Sequence, residues 1–153
     1  MTDYERAVLI SILVDIKAQT VVEIGCNEGY CAFDVLSHLP AKSYIGIDLD
    51  TVTAKVIKSH PDFTLLTRKR GTLDLTPDDL PMVDAVIIDG DHHYDLVKHD
   101  TELATAITRR GGIIIWHDYA FWDGCDVPRL LHELAPTRAI KHIENTGLAI
   151  EYR

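Results

Sequence analysis

The chain has few basic residues, and this shortage excludes one class of partner. Its 15 lysines and arginines stand against 24 aspartates and glutamates, which gives a formal net charge of −9. Nucleic acids and anionic membranes are held mainly by clustered Lys and Arg, so we expect neither as a partner. The main basic run, Arg68-Lys69-Arg70, fits a solvated loop or, alternatively, a clamp for an acidic substrate.

Cysteines and long apolar runs are also scarce. The three cysteines, Cys26, Cys31 and Cys125, form no CxxC pair, and their odd number excludes full use in intramolecular disulfides. This usage is typical of the reducing cytoplasm, where we expect the protein to reside. The apolar stretch at residues 7–14 is too short to span a bilayer and has no cleavage signal, so we predict a packed helix within the segment 1–19.

What the sequence does contain is a regular alternation of apolar runs and breakers. At 153 residues, 46% of them hydrophobic, the chain suits one globular domain over residues 1–153. Strands are predicted at residues 20–25, 43–48, 63–67, 83–89 and 113–118, and helices at about 30–39, 51–60, 94–110 and 127–134. Pro40 is expected to stop the first of these helices.

Two further strands are predicted in the tail, joined by a turn at residues 145–147 as an antiparallel hairpin. Strands that alternate with helices imply right-handed crossovers and a mostly parallel sheet covered on both faces. Ligands of such a doubly wound α/β fold bind at the carboxyl ends of the strands. The chemistry of this chain is therefore expected at that edge.

A turn with two glycines, EIGCNEGY at residues 23–30, follows the first strand. Gly25 permits the turn and Gly29 permits close backbone approach, which exposes amide groups to a ligand. The dinucleotide fingerprint G-x-G-x-x-G is missing, since Asn27 stands where its middle glycine would be. Asp48, at the end of the second strand, fits either a carboxylate that holds a ribose or a helix cap.

Two carboxylates and two adjacent histidines follow the fourth strand in IDGDHHYDLVKHD, residues 88–100, and GGIIIWHDY follows at 111–119. With this combination the chain resembles the class I S-adenosylmethionine-dependent methyltransferases, in particular small-molecule O-methyltransferases with an IDGDH box. The resemblance covers nearly the whole chain from Val21. It implies S-adenosylmethionine as cofactor and a Rossmann-like, doubly wound sheet of seven strands whose last strand is antiparallel.

The resemblance also assigns residues to the cofactor. They are Glu23, Gly25, Asn27 and Gly29 in the loop, Asp48 at the ribose, and Gly71 and Thr72 in a turn on the adenine side. The match at Gly71 and Thr72 is less close, and a plain turn explains those two residues equally well.

The same resemblance makes Asp89 the first carboxylate of a metal site and His92 the general base. Methyl transfer to a hydroxyl needs the acceptor oxygen in position and partly deprotonated, and a divalent cation beside a histidine achieves both. Asp118, after the fifth strand, would be the second ligand. Because His117 precedes it, where metal-dependent relatives commonly carry an acid, the set suits Mg²⁺ or Mn²⁺ if His117 points away and a more nitrogen-preferring metal if it binds.

Several neighbouring residues have simpler interpretations. Asp91 is expected to cap a helix or to satisfy loop amides, as Asp often does after a strand. His93 is expected to face solvent or to pack, on the side opposite His92. Lys98, His99 and Asp100 are expected on a solvated helix face.

The cover of the acceptor side is expected to be minimal, because only one helix precedes the first strand. Phe121 and Trp122 would wall an acceptor pocket or, alternatively, pack in the core. Such an open site would be completed by a second subunit in a homo-oligomer or would accept a bulky substrate such as a glycan or a carrier-bound molecule.

The expected function is metal-assisted O-methylation of a sugar or phenolic hydroxyl by S-adenosylmethionine. One alternative is a non-catalytic cofactor-binding module or partner subunit, which the minimal cover and His117 favour and the Asp89-to-His92 box disfavours. A nicotinamide-dependent oxidoreductase is another, because one fold serves many functions, but the missing fingerprint disfavours it.

Overall fold

A computed structural model describes residues 1–39, 43–120 and 123–153. Its strands are β1 (Thr20–Ile24), β2 (Ser43–Leu49), β3 (Phe63–Arg68), β4 (Val83–Ile88), β5 (Thr108–Trp116), β6 (Lys141–His142) and β7 (Ala149–Tyr152). Its α-helices are α1 (Asp3–Asp15), α2 (Tyr30–His38), α3 (Tyr94–Ile107) and α4 (Val127–Leu134). Short 3-10 turns at Gly71–Asp74 and Pro77–Asp79 connect β3 to β4.

The strands form one sheet of seven in the order β3-β2-β1-β4-β5-β7-β6. β1 to β5 pair in parallel, whereas β7 runs antiparallel to β5 and β6. The predicted Rossmann-like, mostly parallel sheet with an antiparallel last strand is therefore confirmed. The order reverses between β1 and β4, and the carboxyl ends of the strands at such a switch point flank a ligand crevice.

β4 lies at the centre of the core, and every one of its residues is buried. Alternate side chains of a strand point to opposite faces, so Ala85 and Ile87 pack in the cluster that contains α1 and α2. Val86 and Ile88 pack in the cluster that contains α3 and α4. Helices cover both faces of the sheet, which explains why this strand is a nearly continuous apolar run.

Residues 51–60, predicted as a helix, form a series of turns instead. The amide of Ile57 bonds to Ala54 O at 3.0 Å, the amide of His60 bonds to Ile57 O at 2.8 Å, and Ala54 has a φ of 42°. The segment is rich in β-branched residues, whose restricted χ1 lowers helix propensity. Ala54 and Ile57 are buried in the core, so tertiary packing outweighs the apolar spacing that suggested a helix.

α3 ends at Ile107 rather than near residue 110, and β5 begins directly at Thr108. Gly111 and Gly112 therefore lie inside the strand instead of closing the helix. A Cβ atom on Gly112 would lie 2.6 Å from Asp84 O. The close approach of two neighbouring backbones thus requires glycine at this position.

The predicted terminal hairpin is present, but β6 is shorter than the sequence suggested. Asn145 adopts a φ of 62° between β6 and β7, as a tight turn demands. Pro40, the predicted helix stop, lies outside the described residues. In the described ranges, no helix combines the length and apolarity needed to cross a bilayer, and the three cysteines are free thiols.

Candidate active site

Four of the predicted site residues come together at the carboxyl ends of β4 and β5. His117 Nδ1 lies 2.8 Å from Asp89 Oδ1 and 2.8 Å from Asp118 Oδ2. His92 Nε2 lies 2.6 Å from the same oxygen of Asp118. Asp118 has a φ of 58°, a left-handed conformation that is uncommon outside glycine and recurs at functional sites. This cluster is called the His117 cluster below.

A fifth member of the His117 cluster, Glu5 in α1, was missed in the sequence. Glu5 Oε2 lies 3.3 Å from His117 Nε2, and Glu5 Oε1 accepts a hydrogen bond of 2.7 Å from the amide of Gly147. Burial raises the pKa of Glu5, but hydrogen bonds from Thr2 and Gly147 outweigh it and hold the pKa at about 2. The only signal in the sequence is the capping box of Thr2 and Glu5, which predicts a helix start and no contact with His117.

Both ring nitrogens of His117 face carboxylates, which only accept hydrogen bonds, so both nitrogens must donate. Burial lowers the pKa of His117, but the hydrogen bonds to Asp118 and Asp89 outweigh it and raise the pKa to about 10. Burial raises the pKa of Asp118, yet the hydrogen bond from His117 lowers it to about 2. The cluster therefore holds a cationic imidazole whose hydrogen bonds are accepted by carboxylate side chains.

The loop between β1 and α2 lies directly beside Asp89. Gly25 has a φ of +87°, and a Cβ atom there would lie 2.3 Å from Asp89 O. Asp48, at the end of β2, accepts hydrogen bonds from the amides of Asn27 (2.7 Å) and Leu49 (2.8 Å). The loop is thus held by backbone packing on one side and by a carboxylate on the other.

Two cavities of about 450 Å³ each adjoin at Gly25, Asn27 and Asp89. The Asp48 cavity is lined by the predicted residues Gly25, Asn27, Asp48, Gly71, Thr72 and Asp89. The Glu23 cavity is lined by Met1, Arg6, Glu23, Gly29, Tyr30 and Cys31, among others. All the residues that the sequence assigned to a cofactor therefore line one or the other cavity.

Glu23 is oriented differently from the other loop residues. It is buried, and Tyr44 donates a hydrogen bond of 2.9 Å to its Oε2. Burial raises the pKa of Glu23 to about 7, although the hydrogen bond from Tyr44 opposes the shift. Glu23 therefore supports the floor of the loop from the core side.

The remaining predictions for this region have mixed outcomes. Asp91 accepts a hydrogen bond of 2.8 Å from the amide of His93, which agrees with the loop interpretation, and Lys98 is exposed. The solvated face was wrong for Asp100, which is buried and bonded to Thr72. The turn at Gly71–Asp74 covers this side of α3, a contact that helical periodicity does not reveal. Phe121 and Trp122, predicted near the acceptor, lie outside the described residues.

These features define an α/β protein with a paired cavity and an ionised cluster at the switch point of its sheet. The sequence model of a family described as methyltransferase domain matches residues 22–119. The chain belongs to this family, and the methyltransferase resemblance is confirmed at that level. No curated protein matches the chain.

Solved structures share the whole fold at low sequence identity. Cofactor-bound Rv0187 from MTB has a TM-score of 0.80 and 17% identity, and the match covers 99% of this chain and 80% of that one. The SAH-bound methyltransferase PaMTH1 of Podospora anserina has a TM-score of 0.77 and 14% identity, over 100% and 80% of the two chains. An O-methyltransferase of Bacillus cereus in complex with SAH has a TM-score of 0.71 and 14% identity, and the match covers 100% of this chain and 82% of that one.

Replacement of Gly25 by alanine tests the contact between the loop and Asp89. Gly111 is a matched control, since its φ is +80° but no described atom lies within 4 Å of a Cβ placed there. Gly111→Ala should cost about 1 kcal/mol of unfolding free energy from backbone strain alone. Gly25→Ala should cost roughly 1–3 kcal/mol more, because the loop and the end of β4 must separate. Equal losses in urea unfolding would show that the two backbones are not in contact.

Proposed function

We propose that the chain is an S-adenosylmethionine-dependent enzyme that methylates a sugar or phenolic hydroxyl. The observation that carries this proposal is the position of the His117 cluster, which borders the paired cavity at Asp89. A cofactor held in that cavity would meet an acceptor beside ionised groups, in a chain of the methyltransferase domain family. The SAH-bound structures of the same fold, including an O-methyltransferase, support the choice of cofactor and of oxygen as acceptor.

The cavity residues fit the proposed cofactor. Gly25 and Gly29 leave the space that a Cβ would fill, and the loop that they frame opens α2, whose amide groups favour polar ligands. Asp48 would accept hydrogen bonds from the ribose hydroxyls, since each carboxylate oxygen accepts more than one. Arg6 and Glu23 border the Glu23 cavity, where the amino-acid end would lie. When bound, the cofactor supplies an electrophilic methyl group.

His92 is proposed to remove the proton of the acceptor hydroxyl. Asp118 accepts the hydrogen bond from His92 Nε2, fixes the orientation of the imidazole and stabilises the imidazolium that forms when the proton arrives. Asp118 is itself held by His117. The base is therefore oriented by two consecutive residues that follow the end of β5.

The donor set also fits a divalent cation. Asp89, His117 and Asp118 each offer one ligand atom, and these atoms lie within 4.8 Å of one another. We propose that these residues hold the cation in place of the Nδ1 proton of His117, because an imidazolium has no free lone pair for a metal, and that the bound cation would lower the pKa of the acceptor hydroxyl. Because one of the three ligands is an imidazole, the set suits a more nitrogen-preferring cation than Mg²⁺.

Calorimetric titration of S-adenosylhomocysteine into the purified protein tests the cofactor. It should bind, whereas NADH should not, because the nicotinamide fingerprint is missing. Titrations of the cation alone, and repeats with Mg²⁺, Mn²⁺ or a chelator, test the metal. Failure of S-adenosylhomocysteine under every condition would contradict the proposed function, and binding of NADH would support an oxidoreductase.

Asp89→Asn and His92→Ala should lower methyl transfer by about 10²- to 10⁴-fold, because they remove the proposed ligand and base. Transfer from labelled cofactor to a panel of phenols and sugars measures the loss, and calorimetry should find cofactor binding retained. His93→Ala is the matched control, since its side chain is exposed in the same loop and lines neither cavity. Unchanged turnover in both Asp89→Asn and His92→Ala would contradict the proposed roles of these two residues.

A second copy of the chain or a bulky acceptor is proposed to complete the acceptor side. Tyr4 of α1 and Tyr30 and Phe33 of α2 are large exposed side chains, and Tyr30 borders the Glu23 cavity. Light scattering is expected to find a homo-oligomer unless the acceptor is a glycan or a carrier-bound molecule. A monomer that is active on a small free alcohol would contradict both the second copy of the chain and the bulky acceptor.

A further inference from the structure

One carboxylate of the His117 cluster has no task in the roles above. Glu5 of α1 is buried, and its Oε2 lies 3.3 Å from His117 Nε2. Glu5 does not belong to the donor set of Asp89, His117 and Asp118. In the described ranges, its hydrogen bond to that set is made with the imidazole ring of His117. Hydrogen bonding by Glu5 can therefore act on a bound cation through that ring.

The position of the Glu5 carboxylate is set by other parts of the chain. The amide and the hydroxyl of Thr2 donate hydrogen bonds of 2.8 and 2.9 Å to Oε2. The amide of Gly147 donates a hydrogen bond of 2.7 Å to Oε1. Two of these three donors are backbone groups, one in the cap of α1 and one in the turn before β7. The carboxylate is thus a fixed acceptor toward which the His117 ring is oriented.

The two nitrogens of the His117 ring have different surroundings. Nδ1 lies 2.8 Å from Asp89 Oδ1 and 2.8 Å from Asp118 Oδ2, which are oxygens of the two other proposed ligands. Nε2 is the nitrogen that lies near Glu5 of α1. A cation shared by Asp89, His117 and Asp118 would therefore bind the ring at Nδ1.

A ring nitrogen binds a cation only through a free lone pair, so the proton of the neutral ring must then lie on Nε2. The two carboxylates beside Nδ1 favour the opposite arrangement, because each of them accepts a hydrogen bond from a proton on Nδ1. An acceptor at Nε2 counteracts this preference, since the hydrogen bond of one ring nitrogen determines the state of the other. Glu5 Oε2 is such an acceptor. Carboxylates accompany metal-binding imidazoles in many proteins for this reason.

The next step rests on the proposed function, in which Asp89, His117 and Asp118 hold a divalent cation. We propose that Glu5 is a positioning residue for this cation, because it retains the Nε2 proton of His117 and leaves Nδ1 to bind the metal. On binding, the bond between Nδ1 and its proton breaks, a bond between Nδ1 and the cation forms, and the proton passes to solvent. The Nε2 proton stays in the hydrogen bond to Glu5, which makes α1 a part of the metal site.

The affinity for Mn²⁺ tests this role in four proteins: the wild type, Glu5→Ala, His117→Asn and the double variant. The asparagine side chain offers an oxygen near the position of Nδ1 but has no atom at the position of Nε2. Loss of the Glu5 charge weakens cation binding in both backgrounds, so the difference between the two losses isolates the part that passes through the imidazole. In calorimetry, Glu5→Ala should weaken Mn²⁺ binding by about 10- to 100-fold more in the wild-type background than in the His117→Asn background. Equal losses in the two backgrounds would overturn the proposal.

Thr2→Ala is the matched control for the start of α1. It removes the hydroxyl that caps the helix, whereas the amides of residues 2 and 147 still hold the Glu5 carboxylate. The Mn²⁺ affinity of Thr2→Ala should therefore stay close to that of the wild type. A loss as large as that of Glu5→Ala would show that the order of α1, and not the contact with His117, determines the affinity.

Electron spin echo spectroscopy of Mn²⁺ bound to the wild-type protein tests the orientation of the ring without a variant of Glu5. A nitrogen that binds Mn²⁺ directly couples to its electron spin more strongly than the remote nitrogen of the same ring. Isotopic labelling of histidine at Nδ1 should therefore change the strong coupling, whereas labelling at Nε2 should not. The strong coupling should vanish in His117→Asn, which assigns it to this ring. Direct binding through Nε2 of His117 would overturn the proposal even if Glu5→Ala failed to fold.

The outcomes separate this inference from the proposed function. If the wild-type protein binds S-adenosylhomocysteine and Mn²⁺ but the two losses are equal, only the role of Glu5 fails. If it binds S-adenosylhomocysteine but no Mn²⁺, the proposed cation site fails and this inference fails with it. If it does not bind S-adenosylhomocysteine, the proposed cofactor fails, while the Mn²⁺ measurements still decide the role of Glu5.

Discussion

The interaction on which the rest of the site depends is the enclosure of His117 by three carboxylates. His117 bonds to Asp89, to Asp118 and, more distantly, to Glu5. A buried charge is tolerated only when it is well paired, and the loss of one partner leaves the others uncompensated. The cationic ring therefore fixes the distance between the ends of β4 and β5 and attaches α1 to both of them.

The sheet order places this cluster beside the cavities. β1 and β4 are neighbours, although two strands intervene between them in the chain. Asp89 and the loop at Gly25 consequently emerge side by side, and their backbones are in contact. Any group that binds along the loop lies next to Asp89 by virtue of the strand order alone. Side chains on the loop need only set which ligand is accepted.

Much of the fold could be predicted because local and tertiary preferences agree. The strands β1 and β4 are mostly apolar, rich in β-branched residues and followed by glycine or aspartate, so burial on both faces was readable from the sequence. Residues 51–60 show the opposite case, because their apolar spacing is compatible with a helix while their packing against the core demands turns.

The site was predictable to the extent that its residues lie at the carboxyl ends of strands. Asp48, Asp89 and Asp118 could be placed at one edge for that reason. Glu5 and Asp100 lie on helices, far in the chain from the residues that they meet, and their partners His117 and Thr72 are brought to them by tertiary packing. Helical periodicity distinguishes the buried face of a helix from its solvent-exposed face. It does not reveal where a loop covers part of the polar face, as happens at Asp100.

The hydrogen bond between Gly147 and Glu5 has a consequence for how the molecule is made. It joins the start of α1 to the turn before β7, across a sequence separation of 142 residues. During synthesis, α1 leaves the ribosome before the strands of the sheet, and this contact cannot form until the turn before β7 has also been made. The ionised cluster is thus among the last parts to assemble, and contacts so distant in sequence slow folding because a long loop must close first. Until the turn before β7 has been made, Glu5 lacks the amide of Gly147, which is one of the donors that hold its carboxylate in place.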